Sequence, residues 1–192
     1  MTRPLLTAIE EEYRRYRALA EAAMRQLDDG DLARKPIPEG NSVAILVWHL
    51  SGNFKSRFTD FLTTDGEKPW RKRDEEFEDR AVTKAQLLEK WDEGWGVLLT
   101  TLAALSDEDL GSTVTIRGQA LTVREALLRS LAHASYHVGQ VVLVARALRG
   151  NAWTFLSIAP GGSAAYNTAP VLDRPADFRR AVETREDDRP GR

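Results

Sequence analysis

The sequence contains no cysteine, and this absence excludes several kinds of chemistry. Without thiols the chain can form no disulfide framework, offers no thiolate nucleophile and cannot build a cysteine-type zinc site. Any metal ion that the chain binds must therefore be held by nitrogen and oxygen atoms. The lack of cysteine also suits a reducing compartment, and we expect a cytoplasmic protein.

An excess of charge of one sign is also missing, as are long apolar runs. The 192 residues include 27 Lys and Arg against 29 Asp and Glu, and no lysine- or arginine-rich face is visible. The longest apolar run, VAILVW at 43–48, is far shorter than the roughly 20 residues that cross a bilayer. We therefore expect no nucleic-acid partner and no membrane, but one globular domain with a substantial core.

Apolar residues recur every three or four positions in four segments, which is the pattern of amphipathic helices. The predicted helices begin near residues 4, 42, 83 and 122, and the first two are expected to end near 28 and 63. Two of them open with a capping box, TKAQ at 83–86 and TVRE at 122–125, and Gly150 suits the end of the last. The predicted fold class is all-α, a four-helix bundle.

Two segments between the predicted helices interrupt this pattern. Residues 64–82 carry no clean periodicity, and so long a connection inside a compact domain is usually functional or disordered. Its charged run RKRDEEFEDR at 71–80 fits a solvated surface. Residues 113–121 place β-branched residues around an Arg117-Gly118-Gln119 turn, which predicts a short β-hairpin before the fourth helix.

No internal repeat or second domain is visible in the sequence. We expect a single helical-bundle domain over 1–170, with the apolar segment WTFLSIAPGGSAAYN at 153–167 packed on the bundle. The charged tail at 171–192 is expected to be partly disordered.

Histidine is scarce, yet two of the three histidines lie four residues apart. His133 and His137, in LAHASYHVGQ, fall in the middle of the predicted fourth helix, where residues i and i+4 share one face at roughly 5–6 Å. A helical projection places this pair at the border of the apolar stripe and places His49 at a similar border on the second helix. Such borders can face one another in a bundle and build a site between helices.

Three neutral imidazoles with a water in the fourth position form an open tetrahedral zinc site, and nickel or iron also accepts imidazole nitrogen. A thermolysin-like protease is disfavoured, because HASYH has Ala134 where HExxH requires glutamate. A ferritin-like di-iron site is disfavoured because no Glu-x-x-His occurs. The alternative is that the histidines are hydrogen-bonded side chains that close a polar seam at the edge of the core.

Four further residues are candidates for contact with a small-molecule substrate. Asn53, Arg57 and Asp60 continue the polar row that runs along the second helix from His49, and they can orient ligands or substrate. The alternative is that they form the solvated flank of an amphipathic helix. Trp70 lies in the long connection, where it either covers a pocket or closes the core.

Three segments of the chain resemble a known superfamily. NSVAILVWHLSGNFKSRFTDFLTTDGEKPWRKRDEEFE at 41–78, the later HASYHVGQ and WTFLSIAPGGSAAYN are similar to the DinB/YfiT-like superfamily of metal-dependent enzymes, in particular to a subgroup known as a domain of unknown function. The most specific part is the combination of the histidines with HLxGNxxSRxxDFLTxDGEKPWRxRDxEF. The resemblance spans about 41–167.

The resemblance implies a four-helix bundle, often a homodimer, with a divalent metal held by one histidine of the second helix and an HxxxH pair of a later one. In this sequence those positions are His49, His133 and His137. The superfamily includes thiol-dependent transferases and isomerases, which use low-molecular-weight thiols as cosubstrates, and proteins described as hydrolases.

We therefore expect a metal-dependent enzyme of the S-transferase or hydrolase type that acts on a small molecule with zinc, nickel or iron in a three-histidine site. A divalent ion can activate a water or stabilise a thiolate, so the chain requires no nucleophile of its own. The competing hypothesis is a non-catalytic bundle, in which the histidines bind metal for stability or regulation.

Overall fold

Four long helices build the molecule, and the computed structural model describes residues 3–184 of the chain. These helices are α1 (Pro4–Arg25), α2 (Val43–Phe58), α3 (Lys84–Ala104) and α4 (Val123–Arg149). Helix α1 packs along α4 and α2 packs along α3, while α2 also contacts α4 across the bundle. This arrangement confirms the predicted helical-bundle fold.

Local sequence sets the starts of α3 and α4. Thr83 accepts a hydrogen bond from the Gln86 backbone N–H at 3.3 Å, and the Gln86 side chain accepts one from the Thr83 N–H at 2.9 Å. Thr122 and Glu125 make the same reciprocal pair at the start of α4. Because each capping box satisfies backbone donors that a first helical turn leaves free, both predicted starts are confirmed.

Aromatic side chains join the helices at the centre of the bundle. The Trp95 ring of α3 lies edge-on to Tyr13 of α1 and Phe54 of α2, with ring centroids 6.3 and 4.9 Å apart. The Tyr13 hydroxyl donates to the carbonyl of Leu127 on α4 at 2.9 Å. Burial of one such apolar side chain contributes about 1.5–3 kcal/mol, so this cluster holds all four helices in register.

The predicted hairpin is present between α3 and α4. Strands β1 (Thr113–Ile116) and β2 (Gln119–Thr122) pair antiparallel. Arg117 and Gly118 form the two-residue turn, and both have a left-handed backbone, with φ of 54° and 72°. The Asp65 carboxylate accepts from both of their backbone N–H groups at 2.8 Å, which ties the hairpin to the connection that follows α2.

Helix α2 ends at Phe58 rather than near 63, so the predicted end is wrong. Thr59 is extended and Asp60 has a φ of 49°, a combination that no α-helix can continue through. The turn that results places the ring of Phe61 5.2 Å from the ring of Phe58 and buries it. Helix α1 likewise ends at Arg25 rather than near 28.

Two shorter helices follow the bundle, α5 (Ser163–Thr168) and α6 (Pro175–Glu183). Helix α6 packs on α1, and it buries Phe178 and Val182 there. It lies in the charged tail for which the sequence predicted partial disorder. Residues 185–192 of that tail lie outside the described part of the chain, and the domain boundary at 170 stays a prediction.

Candidate metal centre

Three imidazoles from two helices meet where α2 approaches α4. The Nε2 atom of His133 lies 3.2 Å from that of His49 and 3.1 Å from that of His137. The ligand atoms of the three residues all lie within 4.8 Å of one another. Nitrogens bound to one tetrahedral zinc ion are roughly 3.3 Å apart, given Zn–N distances of about 2.0–2.1 Å. The structure brings together the three predicted ligands, and the group could hold a metal ion.

The hydrogen bonds of the Nδ1 atoms show which ring nitrogens are free to bind a metal ion. His49 Nδ1 lies 2.9 Å from the Glu76 carboxylate, and His137 Nδ1 lies 2.8 Å from the side-chain oxygen of Gln140. Because both partners accept, each Nδ1 carries the proton, and in a neutral ring Nε2 then has only a lone pair. Two such lone pairs point at His133, whose Nε2 can donate to one of them at most. A cation satisfies all three nitrogens at once, so the residues fit a divalent metal.

The charge state of the rings agrees with this fit. Burial, together with the nearby His137 and His49, lowers the pKa of His133 to about 3. Burial also lowers the pKa of His137, against the opposing effect of its hydrogen bond to Gln140. Both rings are therefore neutral near pH 7, and neutral imidazole is the form that binds metals.

Glu76 holds His49 in place. Its carboxylate, which is buried, also receives two hydrogen bonds from Arg71, at 2.8 and 2.9 Å. Burial alone would raise the pKa of Glu76, but the hydrogen bonds from Arg71 and His49 outweigh it and hold this pKa below its ordinary value. The sequence predicted a solvated surface at 71–80, and for Arg71 and Glu76 that prediction is wrong.

Helix α2 makes room for this carboxylate at Gly52. A Cβ atom placed on Gly52 would overlap the Glu76 carboxylate. The ring of Phe77, the next residue after Glu76, lies 4.7 Å from the His49 ring and covers it. Gly52 and the turn at 74–77 therefore position the Glu76 carboxylate, which orients His49. Carboxylates commonly orient metal-binding histidines in this way.

The histidines form part of the wall of a cavity of about 350 Å³. This volume is within the range of sites for small molecules. The wall combines five arginines with apolar, amide and hydroxyl side chains. Its members are His49, Asn53, Arg57, Phe58, Phe61, Arg71, Arg73, Phe77, Ile116, Arg117, Ala126, Arg129, Ser130, His133 and His137.

The four predicted substrate contacts divide into two pairs. Asn53 and Arg57 line the cavity, one and two helical turns from His49. Asp60 is exposed at the turn after α2, and Trp70 is 52% exposed beside a different depression of the surface. The structure therefore places the first pair at the candidate site and the second pair outside its wall, while contact with a substrate stays a prediction for all four.

Sequence reasoning missed several residues of the wall. Arg129 carried a usable signal, because it lies four residues before His133 and so shares its face of α4. Arg71, Arg73 and Phe77 come from the connection at 59–82, and Arg117 comes from the hairpin turn. No periodicity marks these positions, because the folding of the connection brings them to the cavity.

Comparisons with known proteins agree with the helical fold. A solved structure, "Crystal structure of the conserved protein of locus from Enterococcus faecalis", is similar to this chain with a TM-score of 0.58 and 17% identity, covering 79% of this chain and 100% of that chain. At this identity the likeness shows the fold alone. The comparison with curated proteins gives no match.

A family model described as "Protein of unknown function (DUF1572)" matches residues 1–162. The match includes α1 to α4 and all three histidines of the candidate metal centre. It extends over most of the chain, and the chain therefore belongs to the DUF1572 family.

Proposed function

We propose that the protein is a divalent-metal-dependent enzyme of the DinB/YfiT-like superfamily, acting on a small molecule as a thiol-dependent S-transferase or as a hydrolase. One observation carries this proposal. The three Nε2 atoms that could bind the ion converge on the wall of a cavity rather than inside a closed core. Structural zinc sites are usually closed by four protein ligands, whereas catalytic sites keep a position open.

The proposed ion is zinc or nickel, with iron as a further candidate, because all three accept imidazole nitrogen. When bound, such an ion lowers the pKa of a coordinated water towards neutrality or stabilises a thiolate of a low-molecular-weight thiol. Within residues 3–184 no Asp or Glu lines the cavity. The residues that the structure describes thus supply no carboxylate base there, and chemistry that relies on the ion for the nucleophile is favoured.

The residues of the chain would orient and shield the reaction. Glu76 holds His49 through its Nδ1 proton, and Gln140 does the same for His137. Each ring is thereby fixed in the tautomer that turns Nε2 to the cavity. Phe58, Phe61 and Phe77 supply much of the apolar part of the wall, which would displace water around a bound substrate and strengthen polar contacts there.

A non-catalytic role is the second candidate, and burial favours it. His49, His137 and Glu76 are all buried, and they connect α2, α4 and the turn at 74–77. A metal ion at this junction would clip three parts of the fold together without any reaction. Activity measurements on the metal-loaded protein separate the two candidates.

The first experiment measures the metal content of protein purified without a histidine tag, by mass spectrometry. We expect close to one divalent ion per chain in the wild type and a loss of most of it in His133→Ala. Ser135→Ala, on the same helix and outside the cavity wall, is the matched control and should retain its metal. A wild type without metal, or unchanged content in His133→Ala, would sink the proposal.

The second experiment incubates the metal-loaded protein with low-molecular-weight thiols and electrophiles, and separately with a panel of esters. We expect turnover that disappears in His133→Ala and after metal removal. If the protein binds metal but turns over none of these compounds, the non-catalytic role is supported instead.

We also propose a homodimer, on the resemblance and on one strip of α4. Leu128, Tyr136 and Leu143 point outwards from this helix and are 51%, 63% and 61% exposed. Sedimentation of the wild type and of Leu143→Lys tests this, with a monomeric wild type as the contrary result. Among residues 3–184, no helix is long and apolar enough to cross a membrane, and the cellular compartment stays a prediction.

A further inference from the structure

The cavity beside the histidines has a positively charged wall. Five arginines line it, and no carboxylate does among the residues that the structure describes. Charge of one sign that lines a cavity attracts ligands of the opposite sign, unless nearby carboxylates balance it. The balance therefore depends on which guanidiniums already have partners.

Two carboxylates behind the wall pair with three of the five arginines. Arg71 is neutralised by Glu76, and its side chain is only 2% exposed. Arg57 and Arg117 share a single oxygen of Glu67, at 3.1 and 2.8 Å. One carboxylate thus forms ion pairs with two guanidiniums, and the Asp65 carboxylate, which also interacts electrostatically with Arg57, lies nearby.

The other two arginines are more weakly compensated. Arg73 lies 3.7 Å from the fully exposed Asp74 and stacks over Phe77. Arg129 is exposed and has no ion-pair or hydrogen-bond partner within residues 3–184. Its guanidinium keeps all its donors for a ligand, and a guanidinium binds carboxylate or phosphate oxygens in pairs.

The arginines also lie at a defined end of the site. Successive turns of α2 contribute His49, Asn53 and Arg57 to the wall, in that order. On α4 it is His137, His133 and Arg129, in the opposite chain direction. At 1.5 Å per residue, the backbone positions of Arg57 and Arg129 lie roughly 6–12 Å along the helices from those of the histidines. Along these two helices the cavity therefore has the imidazoles at one end and Arg57 and Arg129 at the other. Arg71 and Arg73 lie on the imidazole side, beside Glu76 and Phe77.

We propose that the cavity binds an organic anion, a carboxylate or phosphate ester with an apolar body. Its anionic group contacts Arg129 and the Arg57 region, and its reacting end lies at the histidines. Apolar wall residues contact the body between these ends: Phe58, Phe61, Phe77, Ile116 and Ala126. The position of the reacting end rests on the proposed metal-dependent function, whereas the anion contact does not require a metal.

The test is a titration of the full chain, with and without zinc, with phenylacetate, phenyl phosphate and the uncharged phenylacetamide, followed by nuclear magnetic resonance. We expect both anions to bind at least tenfold more tightly than the amide. In Arg129→Gln the dissociation constants of the anions should rise about tenfold or more, as expected for the loss of charged hydrogen bonds. Whichever anion loses more affinity identifies carboxylate or phosphate as the preferred group.

Arg124→Gln is the matched control, since it removes the same charge from an exposed site on the same helix outside the cavity wall. Its dissociation constants should stay within twofold of the wild type. Thermal unfolding and zinc content of Arg129→Gln should equal those of the wild type, which separates lost anion contact from lost folding or metal.

The inference is overturned by equal anion affinity in Arg129→Gln and Arg124→Gln, by equal affinity for the amide, or by no anion binding up to about 10 mM. Anions that bind only with zinc, and equally well in Arg129→Gln, would also overturn it, because they would then be ligands of the ion. If the wild type binds no metal, the proposed enzyme function fails, but the titration of the metal-free protein still decides the anion contact.

Discussion

The two helices that build the candidate metal centre hold their side chains in different ways. On α2, His49 and Arg57 are each tied to a carboxylate from the connection that follows the helix, Glu76 and Glu67 respectively. On α4, the Nδ1 atom of His137 contacts Gln140 of the same helix. His133 Nδ1 is buried without a hydrogen-bond partner within residues 3–184.

The α2 half of the site is therefore held by contacts to another segment of the chain, whereas the α4 half is held by contacts within one helix. The α2 half is organised by tertiary contacts to residues 59–82, so its geometry depends on that connection being folded. The α4 half depends on helical spacing alone, which any stable helix provides. Changes in the connection should therefore damage the site more than equivalent changes on α4.

The largest effect is expected from Glu76→Ala. This change leaves the buried Arg71 guanidinium and the His49 Nδ1–H group without their partner. Removal of one member of a buried ion pair costs about 3–5 kcal/mol of unfolding free energy, and loss of a carboxylate that orients a metal-binding histidine lowers metal affinity about 10–100-fold. Urea unfolding and metal titration measure the two effects.

Glu75→Ala is the control for that change. Glu75 is the neighbouring residue, and its pair with Lys72 is exposed, with side chains 58% and 73% accessible. Surface pairs of this kind contribute about 0–1 kcal/mol. If both variants lose the same stability, Glu76 does not hold the α2 half of the site.

The next effect is that of metal removal. An ion that binds the folded chain alone stabilises it by about 2.7 kcal/mol at a free concentration one hundred times the dissociation constant. A chelator should therefore lower the unfolding free energy of the wild type by about this amount, measured by urea unfolding. His133→Ala should show no such change, and equal responses of the two proteins would place the ion elsewhere.

Gly52→Ala disturbs the contact between Glu76 and His49 from the side of α2. The added methyl group overlaps the Glu76 carboxylate and must displace it. Overpacking of this kind costs about 1–3 kcal/mol, and we also expect weaker metal binding because His49 loses its fixed position. Gly96→Ala is the control, since nothing lies within 4 Å of its Cβ position on α3. That change should leave stability equal or raise it by up to about 1 kcal/mol.

The smallest effect is expected on the α4 side, from Gln140→Ala. This removes the hydrogen bond to His137 Nδ1, which then donates to water or another acceptor. Loss of one neutral hydrogen bond costs about 0.5–1.5 kcal/mol, so metal affinity should fall about two- to tenfold. A loss as large as that of Glu76→Ala would show that the two halves are held equally.

Much of the fold could be predicted because its signals are local. The capping boxes at 83–86 and 122–125 and the turn at Arg117-Gly118 act within a few residues, so the sequence around each position was enough. The end of α2 was missed because the apolar periodicity continues past Phe58 to Phe61, whereas the backbone turns at Thr59 and Asp60. Helix α6 was missed because its charge concealed the two residues that it buries.

The candidate site divides in the same way. His133 and His137 followed from helical spacing, and His49 followed from its place at the border of an apolar stripe. Glu76 could not be predicted, because its burial depends on the gap at Gly52 and on the pair with Arg71. A run of mixed charges is typical of a solvated surface, and only the folded connection shows which of its residues turn inwards.

The most direct test of the metal centre is anomalous X-ray diffraction from crystals of the zinc-loaded, tag-free protein. We predict a single strong peak about 2.0–2.1 Å from the Nε2 atoms of His49, His133 and His137, with the fourth position open to the cavity. The hydrogen bond from His49 Nδ1 to Glu76 should persist. No peak among the three histidines, or a peak at another place with the three rings bonded to one another, would contradict the metal site.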